Sequence, residues 1–311
     1  MPWLHFNFND FSVAFLSILF EGVPFMLLGT LLSGLVDAFV PPGAIERLVA
    51  GRNSVGIGLS ALLGIVFPMC ECGVVPVIRR LMLKGMPVSC ALTYLLAAPI
   101  VNPVVAFSTY IAFRSQNPFW IVGARLLGGF VVAVGVGLII ARMKKETILN
   151  HDMLHAVEDR RLAAELEKTT PAVPMPFSTK LTGALRCTGH DFVDVTCYLV
   201  IGAALAAFFN TAVNRDVIAP FASNAVAATP VMMVLAFTLS LCSTSDAFVA
   251  ANFVAFPVAA KLAFMIFGPM MDLKLLFMYG LVFRYRFTVL LAVGLFVAIG
   301  VLCVLTGGFV R

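Results

Sequence analysis

Charge is what this chain has little of. Only 12% of its 311 residues are Asp, Glu, Lys or Arg, against 61% hydrophobic residues, and mean hydropathy is +1.01. A water-soluble domain needs far more polar side chains to cover its core, so that class is excluded. The strict apolar–polar alternation of a membrane β-barrel is missing too. There is no G-x-x-x-x-G-K-[ST], H-E-x-x-H or G-x-S-x-G motif. An ATP-driven pump or a membrane hydrolase is therefore not expected, and the chain reads as a non-enzyme without a cofactor. No basic start precedes the first apolar segment, which carries Glu21 and Pro24. It is read as a retained span rather than a cleaved signal peptide. The net charge of +5 comes from Lys and Arg at the ends of apolar segments, which is no nucleic-acid signature.

What is present is long apolar sequence. Blocks run over 11–39, 54–69, 73–83, 87–112, 118–141, 184–209, 229–242, 246–257, 259–283 and 287–308. Several reach the roughly 20 helical residues that cross a hydrocarbon layer of about 30 Å. The fold class is an all-α polytopic membrane protein with the lipid bilayer as its surroundings. One segment, 142–180, is polar. Leu149 to Glu167 suits an amphipathic helix, which Pro171, Pro174 and Pro176 cannot continue. It reads as a cytoplasmic linker between a first membrane repeat, 1–141, and a second, 181–311.

The two flanking regions match in order. "EGVPFMLLGTLLSGL" from Glu21 pairs with "DVTCYLVIGAALAAF" from Asp194, setting Glu21 against Asp194 and Gly29 against Gly202. "FPMCECG" pairs with "LSLCSTS" (Cys70 with Cys242), and "APIVNPV" with "GPMMDLK" (Pro99 with Pro269, Asn102 with Asp272). "GFVVAVG" pairs with "GLFVAIG". Such duplication is how many secondary transporters are built. If each Cys-bearing block is a re-entrant hairpin, each half crosses three times and the second is inverted. With the N-terminus outside, sixteen Lys and Arg then fall inside and five outside, as the positive-inside rule prefers. Four parallel spans per half give thirteen against eight at best.

The chemistry concentrates where helices should break. In "FPMCECGVVP", Pro68 and Pro76 flank Gly73, and a helix starting near Gly73 would aim its positive end at Cys70, Glu71 and Cys72. A broken helix at membrane depth is tolerated only where protein or a water-filled cavity surrounds it. Its twin "LCSTSDAF" offers Cys242 and then Ser243, Thr244, Ser245 and Asp246, all helix-capping residues, before a helix expected to reach about Phe256. A third break, "AAPIVNP", holds Pro99 and Asn102, and its twin holds Asp272. Cys70 and Cys72 are candidate thiolate ligands for a soft metal or metalloid, and Cys242 a third thiol. Their bland reading is small residues allowing close helix approach. Cys90, Cys187, Cys197 and Cys303 read as packing residues. Intramembrane carboxylates are costly, so Glu71, Asp246, Glu21 and Asp194 are proton-coupling candidates, with simple helix capping as the bland alternative. Arg125 reads as snorkelling or paired. His151 and His155, four residues apart, have the spacing of a metal pair, but a solvated helix face is the reading preferred for them.

At "PMCECGVVPVIRRLMLKG", "LAAPIVNPVV" and "LCSTSDAFVA" the chain resembles the ArsP/YraQ-type predicted permease family from Glu21 to about Lys274. The resemblance implies a bacterial inner-membrane efflux permease for trivalent organoarsenicals, with Cys70 and Cys72 carrying the motif. A soft-metal or sulfur-compound carrier, and a membrane thiol redox protein using Cys70 and Cys72, are the alternatives. Oligomeric state, including a homodimer, is left open by the sequence.

Overall fold

A computed structural model describes residues 8–39, 54–167, 177–212 and 225–307. The described residues are almost wholly helical: α1 (Phe8–Phe39), α2 (Ser54–Val66), α3 (Glu71–Leu83), α4 (Val88–Ala97), α5 (Pro103–Ala112), α6 (Pro118–Ile140), α7 (Lys145–Ile148), α8 (His151–Glu167), α9 (Phe177–Ala212), α10 (Ala225–Leu239), α11 (Asp246–Asn252), α12 (Val258–Met270), α13 (Leu273–Tyr279) and α14 (Tyr285–Gly307). Among them lies one isolated bridge, Leu149 with Phe283, and no strand. Five helical stretches have the length and composition to cross a membrane: Phe8–Phe39, Pro118–Ile140, Thr182–Thr211, Val258–Tyr279 and Tyr285–Thr306. Their outer faces show Phe20, Leu28, Leu127, Val293 and Leu305, as lipid-facing surfaces require.

The remaining helices are half-length, and their directions follow from who touches whom. α3 runs parallel to α1. Gly73 meets Phe25 and Gly29, the Ser33 hydroxyl donates to the Pro76 carbonyl at 3.3 Å, and Lys84 donates to the Asp37 carbonyl at 2.7 Å. α3 therefore starts about half-way along α1 and ends level with the Phe39 end. α4, a break at 98–102, and α5 together run antiparallel to α6, since Thr93 meets Gly137, Ile100 meets Gly129 and Thr109 meets Arg125. α9 lies antiparallel along α1, with Leu199 on Gly22 and Ala184 on Gly34. α2, α4 and α6 pack on one another, and so do α10, α12 and α14. α3 packs on α13, and α5 on α11.

The breaks fall near the expected positions, with local differences. α3 begins at Glu71, two residues before Gly73, so Cys72 sits in its first turn rather than in unwound backbone. Pro76 is carried inside α3. α11 stops at Asn252 instead of reaching Phe256; residues 253–256 turn, and Pro257, with extended backbone, opens α12. In the polar segment a helix forms as α8, from His151 rather than Leu149. Ile148, Leu149 and Met153 are buried, and residues 148 and 150 are strapped to 284 and 282 by backbone hydrogen bonds.

Candidate functional site

Cys70 has extended backbone (φ −76°, ψ 167°) and precedes the first residue of α3. Glu71 and Cys72 follow in the first helical turn, where unpaired N–H groups and the helix dipole favour negative charge. Cys72 is buried and lies within hydrogen-bonding reach of half-buried Cys70. From the other half, the break after α10 presents Cys242, whose sulfur accepts from the Thr244 hydroxyl at 3.6 Å. These three thiols line one small cleft together with Glu21, Glu71 and Lys274. The sequence pairing of "FPMCECG" with "LSLCSTS" thus becomes a spatial meeting.

Lys274 is the centre of this site. Its Nζ donates to Glu71 Oε1 at 3.0 Å and to the Ser240 carbonyl at 3.1 Å, and lies 3.4 Å from Asp272 Oδ2. Ser240 ends α10 in the left-handed region (φ 49°), an uncommon conformation for serine, and its carbonyl is thereby available to the ammonium. One cation thus joins the first turn of α3 to the break after α10. The second oxygen of Glu71, Oε2, is buried without a hydrogen-bond partner.

A second buried cluster lies beside the first. Arg125 of α6 reaches Asp246, the first residue of α11, at 2.7 Å and 2.9 Å, the Ser243 carbonyl at 2.9 Å and the Thr109 hydroxyl at 2.7 Å. Asp246 is thus an ion-pair partner as well as the start of a half-helix. Ser245 links the clusters, its hydroxyl 3.4 Å from Glu21 Oε1, while Ser243 Oγ is buried and unpartnered.

Asn102 and Asp272 do matching jobs. The Asn102 side chain accepts from the Val104 N–H at 2.9 Å to start α5, and Asp272 accepts from the Leu275 N–H at 2.7 Å to start α13. Asp272 also faces Lys274, whereas Asn102 and Pro99 are buried at the α4–α5 break and do not line the cleft. Asp194 is not beside Glu21. It is paired instead with Arg79 at 3.6 Å and His190 at 3.3 Å. Next to it Arg80 grips Asp191 with two hydrogen bonds, 2.7 and 2.8 Å long, and Ser33 donates to the same carboxylate at 3.3 Å. These pairs tie α3 to α9.

The twin glycines have twin structural reasons. A Cβ on Gly29 would run into the Gly73 carbonyl, and one on Gly202 would sit 2.7 Å from Lys274 Cα. Each glycine lets a site-bearing segment press against a long helix. Sequence reasoning missed Lys274, Ser240 and Thr109. The sixteen-to-five charge balance counts Lys274 inside and Arg125 outside; both are buried against carboxylates, Arg125 thus being paired rather than snorkelling. The available signal was a cation inside an apolar block: Arg125 within 118–141, and Lys274 two residues from Asp272 within 259–283. The described cysteines are all free thiols, and among the described residues no group of three or more His, Cys, Asp and Glu is placed to hold a metal ion.

Comparison with known proteins follows the same lines. The model of a predicted permease family, ArsP_1, matches residues 7–308. The chain is 38% identical over 288 residues to the UPF0718 protein YcgR of Bacillus subtilis, covering 92% of each chain. It is 34% identical over 280 residues to a Streptococcus mutans protein whose name is that of a two-component membrane permease complex subunit, covering 88% of this chain and 87% of that one. No solved structure matches.

Proposed function

The chain belongs to the ArsP-type predicted permease family, and from that premise we propose that it is a secondary permease of the bacterial inner membrane. It exports a small thiol-reactive substrate, trivalent organoarsenicals first among them, by proton-coupled alternating access. The observation that carries this reading is the convergence of Cys70, Cys72 and Cys242 on one cleft with Glu71 and Lys274. Thiolates select soft acceptors, and Cys70 and Cys72 lie side by side at the start of α3 as free thiols, with Cys242 lining the same cleft. Glu71 is the proton carrier of this reading. It has one oxygen on Lys274 and one without a partner, so it can exchange a proton while the ammonium stays in place. Asp246 is held by Arg125 and serves as its structural counterpart.

Alternating access follows from two inverted halves rocking about the cleft. The antiparallel course of α1 and α9, and the recurrence of the α2–α4–α6 packing in α10–α12–α14, support the inversion. In this reading the N-terminus is periplasmic and the polar segment cytoplasmic. Removing Lys274 and Arg125 from the charge balance takes one cation from each side and leaves its asymmetry in place. The Streptococcus relative's name directs attention to a second chain as partner.

The test is a resistance panel in cells stripped of their own arsenic exporters, covering methylarsenite, aromatic arsenicals, arsenite, antimonite, copper and zinc. Protection against an organoarsenical that is lost with Cys70→Ser/Cys72→Ser supports the reading. Cys-dependent protection against copper or zinc alone replaces the substrate class. A reversible Cys70–Cys72 disulfide without any transport replaces it with thiol redox chemistry.

A further inference from the structure

His151 and His155 open α8 on the polar segment, away from the cleft, and both are exposed. Four residues apart on a helix, their side chains leave the same face one turn from each other. The rings converge, with centroids 4.3 Å apart and Nε2 atoms 3.2 Å apart. That separation is what a metal ion demands. Metal–imidazole bonds of about 2.0–2.1 Å put two ligand nitrogens about 2.9 Å apart at a right angle and about 3.4 Å apart at the tetrahedral angle. The same i, i+4 pair on a helix is the core of the H-E-x-x-H zinc site. Here Asp152 stands next to His151, on another face of the helix.

We propose that His151 and His155 form a two-imidazole site for a divalent transition-metal ion such as Zn²⁺ or Ni²⁺, with solvent completing the coordination shell. Imidazole suits these ions, and both edges are open to solvent. The pair sits on an anchored turn. Asn150 accepts from the His151 N–H at 2.7 Å, donates through Nδ2 to the Gly280 carbonyl at 3.2 Å and through its backbone to Val282 at 3.0 Å. The Arg284 N–H in turn donates to the Ile148 carbonyl at 3.0 Å. A bound ion therefore clamps the first turn of α8 beside the α13–α14 turn, and α13 carries Lys274.

The experiment is a calorimetric titration of Ni²⁺ into the full-length, tag-free protein in detergent, compared with His151→Ala, His155→Ala and the double variant. One ion per chain is expected, weakened about tenfold or more by either single change and lost in the double variant. The unfolding midpoint of the metal-free double variant should match that of the parent, because both rings are exposed. Ni²⁺ uptake identical in parent and double variant, or no saturable uptake by the parent, would overturn the proposal. It would leave a simple N–H···N contact between two imidazoles. The readout uses no transport substrate, so its failure is separate from failure of the permease reading.

Discussion

Arg125 and Asp246 meet across the two halves of the chain, 2.7 Å apart, with 1% and 2% of their side chains exposed. The guanidinium also holds the Ser243 carbonyl and the Thr109 hydroxyl, so one residue of α6 fixes the break before α11. Removing one member of a buried pair leaves an uncompensated charge, worth about 3–5 kcal/mol. Arg125→Gln and Asp246→Asn should each lower stability by that order. The pair Arg125→Met/Asp246→Leu should recover much of it. Thermal unfolding in detergent measures the cycle, and additive losses would show that the two charges do not interact.

Lys274 is held by three oxygens supplied by Glu71, Asp272 and Ser240. Lys274→Met leaves two buried carboxylates facing each other without their cation, so the loss should again be about 3–5 kcal/mol. Adding Glu71→Gln should restore part of it. Lys274→Arg should restore little, because a planar guanidinium does not replace a compact ammonium in this setting. Stability of the three variants by chemical denaturation decides this.

Gly202→Val tests the close approach of α9 to α13. The new side chain meets the Lys274 backbone, which cannot yield as a flexible side chain would. A cost of about 1–3 kcal/mol is expected, together with reduced transport. Gly29→Ala should behave in the same way, while Gly58→Ala, where a Cβ meets open space, serves as the silent control.

Asp191→Asn should loosen the contact of α9 with α3, which runs from the cleft toward the Phe39 end of α1. Arg80 loses its charged bidentate partner and Arg79 one of two carboxylates. In the alternating-access reading, an impermeant maleimide applied from that side should then reach Cys72 faster than in the parent. Mass spectrometry of labelled peptides gives the rate. Unchanged labelling would remove these ion pairs from the gating scheme.

The helical class, the long spans and the breaks at 67–70, 98–102 and 240–245 were legible because each leaves a local mark, an apolar run or a cluster of Pro, Gly and capping residues. The meeting of Cys70 and Cys72 with Cys242 was legible through the internal match. Lys274 and Arg125 were not, since a lone cation at the edge of an apolar block looks the same whether it faces headgroups or a buried carboxylate. Only the tertiary pairing of α3 with α13, and of α5 and α6 with α11, tells them apart. The converging imidazoles of α8 depended on side-chain rotation, which spacing leaves free. Asn102 and Asp272 were legible as a pair, but only their hydrogen bonds show that both start half-helices.

The most direct test is uptake of a trivalent organoarsenical into everted membrane vesicles under an imposed proton gradient, for the parent and Cys70→Ser/Cys72→Ser. The account predicts gradient-driven accumulation by the parent, abolished when the gradient is collapsed and lost in the double variant. Equal accumulation by both proteins would contradict the central claim that these thiols hold the substrate.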